Sequence, residues 1–176
     1  SSFFGSKFQR NIEELIVSPT PNWVIVGGYV VGGMLRGILV GLIVLMVSIF
    51  FTLPVITYPL IVFLFITLTS LVFALGGLTN AIFATKFDDV SVFTTFVLTP
   101  LSYLGGVFYS IKSLPDPWQT VALANPILYL IDGFRFGFYG VSDVSIYTSL
   151  SVLIVMTAVL VWYNLYLLNR GIGMKN

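Results

Sequence analysis

The chain of 176 residues contains no cysteine and no histidine. The lack of cysteine excludes disulfides and thiol chemistry, and both absences together remove the usual zinc ligands and histidine-based acid–base catalysis. Charge is also scarce, because only 9% of the residues are charged and the net charge is +1. A soluble domain usually carries about 25% charged residues, so this chain is poorly suited to a water-covered surface. It also has no basic stripe, which argues against nucleic acid as a partner.

Phosphate-binding motifs are missing as well. The sequence has no G-x-x-x-x-G-K-[ST] run and no G-x-G-x-x-G that opens a helix after a strand. Such glycine-rich loops hold nucleotide phosphates through their backbone N–H groups. We therefore expect no catalytic, cofactor or metal site in this chain, and any ATP must be bound by another polypeptide.

Long apolar runs dominate what is present. Hydrophobic residues make up 57% of the chain, and the mean hydropathy is +1.02. A membrane-spanning helix needs about 20 apolar residues, and four stretches satisfy this, at about 23–51, 60–85, 91–110 and 145–168. In lipid each backbone polar group must bond within its own segment, which favours helices, and the runs do not alternate as barrel strands do. The predicted fold is an all-α polytopic transmembrane bundle.

Basic residues indicate the orientation of this bundle. With four crossings, the ends before the first span, after the second and after the fourth lie on one side of the membrane. The positive-inside bias makes that side cytoplasmic, since five of the eight basic residues lie there: Lys7, Arg10, Lys86, Arg170 and Lys175. Lys112 and Arg135 fall on the opposite side and weaken the assignment without reversing it.

The segment 1–22 precedes the first span and contains an amphipathic stretch. Apolar Phe8, Ile12, Leu15 and Ile16 recur at helical spacing among charged neighbours, a pattern typical of a helix on a membrane surface. Pro19 then ends the helix. Two interpretations remain open: an interfacial helix that anchors the bundle, and a docking element for a cytoplasmic partner.

The stretch 111–140 should lie on the outer face. Pro115 to Trp118 predict a turn with an interfacial aromatic anchor, and Asn125-Pro126 predicts a helix start. Asp132 and Arg135 are three residues apart on that helix and could form an ion pair. The stretch is either a re-entrant element of two short helices dipping into the outer leaflet or a plain surface helix.

Arg36 is the one charge deep within a predicted span. An arginine at the bilayer centre costs about 2.5–3.5 kcal/mol on insertion scales, so it should face protein or water. It is either a path-lining or gating cation, or a structural arginine satisfied by carbonyls. The surrounding glycines follow small-xxx-small spacing, which favours close helix packing over substrate contact: Gly28, Gly32, Gly33, Gly37 and Gly41.

A short polar turn separates the second and third predicted spans. Asp88 or Asp89 can cap the helix that follows and suits the positive end of its dipole. A salt contact of this turn with a cytoplasmic ATPase is the alternative.

Two stretches resemble the ABC-2 type transporter permease family. IEELIVSPTPNW, followed by GGMLRGILVG, is similar to the family's Glu–x-Leu–Leu–x-Ser/Thr–Pro pattern, and NPILYLIDGFRFGFYGVSD is similar to the stretch before its last membrane helix. The matching residues of the first motif are Glu14, Leu15, Ile16, Ser18 and Pro19. Family members typically have six membrane helices, so the resemblance implies that the first two are not in this sequence and that residues 1–6 end the second.

The resemblance implies a function that composition does not. The first motif would be a coupling helix on a nucleotide-binding subunit, with Arg10, Glu13, Glu14, Leu15, Ile16, Ser18 and Pro19 as its coupling residues. Arg36, Asp132 and Arg135 become candidates for the transport path or gate. The chain would be the non-enzymatic permease subunit of a bacterial inner-membrane exporter of lipid-linked, glycan or hydrophobic compounds, paired with a second copy in the lipid, and ATP and Mg would reside in the ATPase. The alternative is a passive channel, a secondary transporter fragment or a structural subunit of a larger membrane complex.

Overall fold

The computed structural model describes residues 21–84 and 86–171, with only the backbone of Phe87. Every regular element in this part is helical, which confirms the predicted all-α class. The predicted coupling helix, with Arg10, Glu13, Glu14, Leu15, Ile16, Ser18 and Pro19, lies outside the described residues. The elements are α1 (Asn22–Ile49), α2 (Pro59–Phe83), α3 (Phe87–Phe93), a π-helix (Thr94–Leu98), α4 (Thr99–Leu104), a 3-10 turn (Ile111–Ser113), α5 (Asp116–Leu123), α6 (Pro126–Tyr139) and α7 (Ile146–Asn169).

Three helices in the described part are long and apolar enough to cross a membrane: α1, α2 and α7. They correspond to the first, second and fourth predicted spans. Pro59 supplies the first residue of α2, where its missing N–H costs no hydrogen bond and its fixed φ suits a helix start.

The ends of these three helices define the two ends of the bundle. The Asn22 side-chain amide donates to the Asn169 side-chain oxygen at 2.7 Å, so the start of α1 and the end of α7 lie together. An aliphatic cluster includes Ile25 of α1, Ile82 of α2 and Leu168 of α7, which places the end of α2 there as well. From the predicted orientation we name this the inner end, and the opposite one the outer end.

The third predicted span differs from the prediction. Residues 87–104 are helical without a break, but a π-helix divides them into α3 and α4, so four uninterrupted spans are not confirmed. Pro100 supplies the physical reason, because it has no N–H to give the carbonyl of Phe96 and its ring crowds that carbonyl. The Thr99 N–H bonds instead to the carbonyl of Thr94, five residues back.

This 87–104 run nevertheless links the two ends of the bundle. Near its start, the Asn80 side-chain amide of α2 donates to the carbonyl of Val90 at 3.4 Å. Just after its end, Arg135 of α6 donates to the carbonyl of Gly106 at 2.7 Å. Because α6 lies beside the outer part of α2, the run travels from the inner end to the outer end.

Helix α6 is packed into the outer end between α2 and α7. Its Gly133 and Gly137 lie against Phe65 and Val62 of α2. Its last carbonyls accept hydrogen bonds from the N–H groups before α2, since Tyr58 N donates to Gly137 O at 2.9 Å. The helix is therefore enclosed by the bundle.

Candidate functional site

The candidate site is a polar cluster at the outer end, built around Arg135 on α6. Its Nη1 donates to Asp143 Oδ2 at 2.7 Å, and this ion pair is partly buried. Its Nη2 donates to the carbonyls of Gly106 at 2.7 Å and Tyr109 at 3.3 Å. The suggested pairing of Arg135 with Asp132 is therefore wrong, because the guanidinium bonds instead to the loop that follows the 87–104 run and to the loop that follows α6.

Asp132 has a different role. Its side chain is 2% exposed, and it accepts hydrogen bonds from Asp143 N at 2.7 Å, Ser142 Oγ at 2.7 Å and Val144 N at 3.3 Å. A buried carboxylate is stable when its oxygens are satisfied in this way. Asp132 therefore fixes the 142–144 loop onto α6 and holds Asp143 in place.

Asp143 connects this loop to the end of the 87–104 run. Ser110 Oγ donates to its Oδ1 at 2.6 Å, and Ile111 N donates to its Oδ2 at 3.0 Å. Burial alone would raise the pKa of Asp143, but the bonds from Ser110 and Ile111 and the charge of Arg135 outweigh it, and the pKa lies below the ordinary 3.8. Asp143 is thus ionised at neutral pH. We call Gly106, Ser110, Ile111, Arg135 and Asp143 the outer clasp.

Sequence reasoning placed Arg135 in the site but missed Asp143. Helical spacing reveals neighbours within α6, whereas Asp143 lies in the loop beyond it and Ser110 lies before α5. One available signal was that Asp143 ends the stretch NPILYLIDGFRFGFYGVSD, which carried the family resemblance. Asn125 lies where expected, since its side chain caps α6 by accepting from Ile127 N at 3.0 Å.

The predicted glycines fall into two groups. A Cβ at Gly33, Gly37 or Gly41 would approach Ala74, Ser70 or Ile66 of α2 to within 2.7–3.0 Å, so this stripe is the contact between α1 and α2. At Gly28 and Gly32 a Cβ would meet nothing within 4 Å. Those two glycines lie on the open side of α1.

Arg36 lies midway along α1, 14 residues after Asn22 and 13 before Ile49. Its side chain is exposed. The structure does not bring Arg36 together with the outer clasp, because α1 contacts α2 and α7, whereas the clasp is built from α6, the loop after it and residues 106–111. The candidate path or gate residues therefore occupy two separate regions.

A groove of about 790 Å³ opens between the outer halves of α1 and α2, beside the end of α6. Its walls are mostly aliphatic and aromatic, and the hydroxyl-bearing residues Ser48 and Thr52 are among its few polar lining residues. Apolar concave surfaces with few polar groups suit apolar ligands. The part of the chain seen in the structure holds no grouping of acidic residues that could bind a metal.

The inner polar turn forms a helix cap. The Lys86 N–H donates to Asp89 Oδ2 at 2.9 Å at the start of α3. This is a capping contact of an acidic side chain in the first turn of a helix.

Comparison with known proteins decides the family. The family model for the ABC-2 type transporter matches residues 1–139, which includes both the segment before α1 and all of α6. The chain belongs to the ABC-2 type transporter family. The predicted membership of this family is thereby confirmed.

Individual relatives agree with this assignment. The inner membrane transport permease YadH of Escherichia coli (strain K12) is 49% identical over 176 residues, covering 100% of this chain and 69% of the relative. Nodulation protein J of Rhizobium leguminosarum bv. trifolii is 34% identical over 70 residues, covering 40% of this chain and 27% of the relative. No solved structure matches. This ABC-2 chain is a multi-pass inner-membrane protein and a transmembrane transporter subunit.

Proposed function

We propose that this chain is the permease subunit of an ABC exporter, driven by a separate ATPase subunit that binds ATP and Mg. ATP hydrolysis in that partner moves the segment 7–19, and the movement passes to α1, which begins three residues after Pro19. Two copies of the permease enclose the transport path. The alternative of a passive channel, secondary transporter fragment or structural subunit predicts no such partner.

The observation that carries this proposal is the family match over residues 1–139. It extends across the segment with Arg10, Glu13, Glu14, Leu15, Ile16, Ser18 and Pro19, which the family resemblance associates with the ATPase. The proposal of an ATP-driven permease is also supported by the sequences of α1, α2 and α7, which contain no acidic residue. Secondary transporters commonly place acidic residues within their spans to bind protons or sodium, so ATP is the favoured energy source.

We infer that the cargo carries a substantial apolar part, as in a lipid-linked or otherwise hydrophobic compound. The groove between α1 and α2 is apolar along most of its length and lies at the outer half of the bundle. Arg36, at the middle of α1, is suited to meet a polar or anionic part of the cargo or to act as a gate. Asp132 and Arg135 contribute to gating through the outer loops.

The decisive experiment is co-expression with an ATPase encoded beside the permease gene, followed by reconstitution in vesicles. We expect the ATPase to co-purify with the permease, and Glu14→Lys to separate ATP turnover from transport. Asp116→Lys is the matched control, because it makes the same charge change at an exposed residue on the outer side. Unchanged coupling in Glu14→Lys would refute the docking role, and failure of any ATPase to co-purify would favour a passive role.

A further inference from the structure

The 87–104 run is built with a weak point at its centre. Pro100 removes the helical hydrogen bond to the Phe96 carbonyl, and the backbone accommodates it through the π-helix Thr94–Leu98. Two side-chain hydroxyl groups bond to the backbone on either side of this carbonyl, since Thr99 Oγ1 donates to Thr94 O at 3.2 Å and Ser102 Oγ donates to Leu98 O at 2.8 Å. π-Helical turns and prolines are the usual sites at which helices bend.

The middle of the run also packs loosely against its neighbours. Residues 91–97 are all exposed. A cleft of about 430 Å³ lies beside the π-helix, with Phe73 of α2 and Tyr103 and Phe108 among its lining residues. The outer half of the run therefore has space to move relative to α2.

The outer clasp ties that half to the rest of the bundle. Arg135 holds the Gly106 carbonyl, and Asp143 holds Ser110 and Ile111. These charge-assisted bonds are stronger than bonds between neutral groups. A second tie is the Asn125 side-chain amide, which donates to Leu101 O at 2.6 Å.

The other side of the clasp is rigid. A Cβ at Gly133 would lie 1.9 Å from Phe65, so α6 and α2 are in direct contact. Asp132 fixes the 142–144 loop to α6, and α7 follows that loop directly. The clasp thus connects the 87–104 run, which can bend at its π-helix, to a tightly packed block of α2, α6 and α7.

We propose that the 87–104 run is a moving gate element, with its hinge at Thr94–Thr99 and the outer clasp as the latch that holds it closed. Measured from Thr94, where the hinge begins, to Leu104, where the run ends, the lever is about 15 Å long. A bend of about 20°, the size at which a helix counts as kinked, would move its outer end by about 5 Å. Release of the clasp leaves the neutral bond from Asn125 to Leu101, and once this bond opens as well the outer half can move into the space beside Phe73.

The role of this movement in transport rests on the proposed function, but the movement itself does not. It can be measured on the full protein in lipid nanodiscs without ATP or ATPase. These 176 residues contain no cysteine, so once any cysteine elsewhere in the protein is replaced by serine, two spin labels can be placed at Leu104→Cys and Tyr147→Cys. Both positions are exposed, one at the end of the run and one at the start of α7. A negative result would leave the ATP-driven permease standing.

We expect a single narrow label distance with the clasp intact. Asp143→Asn and Arg135→Gln should add a second population shifted by about 5 Å, and Ser110→Ala, which removes one bond, should add a smaller one. Asp116→Asn, an exposed acidic residue outside the clasp, should leave the distance unchanged. Adding Pro100→Ala to Asp143→Asn restores the missing N–H and should reduce the second population.

The outcomes separate the two parts of the proposal. Folded Asp143→Asn and Arg135→Gln proteins that keep the single distance would overturn the latch. If neither variant survives size-exclusion chromatography as a folded protein, Ser110→Ala decides, and an unchanged distance in it overturns the latch equally. A second population that persists at full size in the Pro100→Ala background would overturn the hinge.

Discussion

Replacing Gly133 with alanine tests the contact that fixes α6 in the bundle. An added Cβ would lie 1.9 Å from Phe65 Cε1 and 2.1 Å from Cδ1. Carbon atoms pack at about 3.5–4.0 Å, so the ring or the helix must retreat by about 1.5 Å or more. Phe65 is 1% exposed, so its ring is enclosed by neighbouring residues and cannot move out to the surface without disturbing them.

Two opposing terms set the size of the effect. Alanine improves helix propensity over glycine by up to about 1 kcal/mol, whereas overpacking a core costs about 1–3 kcal/mol and occasionally more. Because the overlap at Gly133 involves a buried ring, we place the overpacking at the upper end. The free energy of unfolding should therefore fall by about 2 kcal/mol.

Reversible unfolding of the purified protein in mixed detergent micelles measures this change. Gly32→Ala is the control, because its Cβ would meet nothing within 4 Å and it should be neutral or stabilising. Phe65→Leu provides a second check, since a smaller side chain opposite residue 133 should make Gly133→Ala less costly. Equal stabilities of Gly133→Ala and Gly32→Ala, or the same cost in both backgrounds, would refute the close contact of α6 with α2.

Two further predictions concern polar groups. Asn164 of α7 is fully buried and donates to Leu75 O of α2 at 3.2 Å, so Asn164→Leu should lower the free energy of unfolding by about 0.6–1.7 kcal/mol. Asn169→Ala, which removes one member of an exposed pair, is the control and should change the free energy of unfolding little. Equal effects of the two substitutions would contradict this prediction. Because the pKa of Asp143 is lowered below 3.8, the stability it contributes is complete above that pH and is lost as pH falls through the folded-state pKa. The stability difference between the wild type and Asp143→Asn should thus be constant from about pH 8 to about pH 5 and shrink below about pH 4; shrinkage between about pH 6 and 5 would count against this.

Much of the bundle could be predicted because lipid fixes the length and polarity of a spanning helix. The predicted span at about 145–168 corresponds to α7, Ile146–Asn169. The start of α6 was also readable, since Asn125-Pro126 combines a capping side chain with a proline that tolerates the first helical turn. These features depend on local chemistry alone.

The partner of Arg135 depends on the tertiary fold. Spacing pointed to Asp132, one turn away on the same helix, but the enclosed α6 directs Asp132 to the 142–144 loop and Arg135 to Asp143. Pro100 was a local signal that the third span would be interrupted. The prediction missed this signal because residues 91–110 form a continuous apolar run. Hydropathy records whether a residue suits lipid and does not record whether its backbone can complete a helix.

The glycines of α1 show how much a small-residue pattern can predict about helix packing. Gly32 and Gly33 are adjacent in sequence, yet a Cβ would find open space at the first and Ala74 at 3.0 Å at the second. Small-xxx-small spacing predicts that some face of α1 packs closely. Which face does so is decided by where α2 lies in the fold.

The location of the polar ties indicates which helices move together. In lipid there is no hydrophobic driving force for apolar helices to associate. Hydrogen bonds and close backbone contacts therefore determine which helices stay together. Asn164 joins α7 to α2, Gly33 and Gly37 bring α1 against α2, and α6 is bonded to the residues before α2. On the proposed function, force applied just before Asn22 would pass through α1 to this whole block. The 87–104 run, held to the block mainly near its two ends and jointed between them, is the element that such a force can displace.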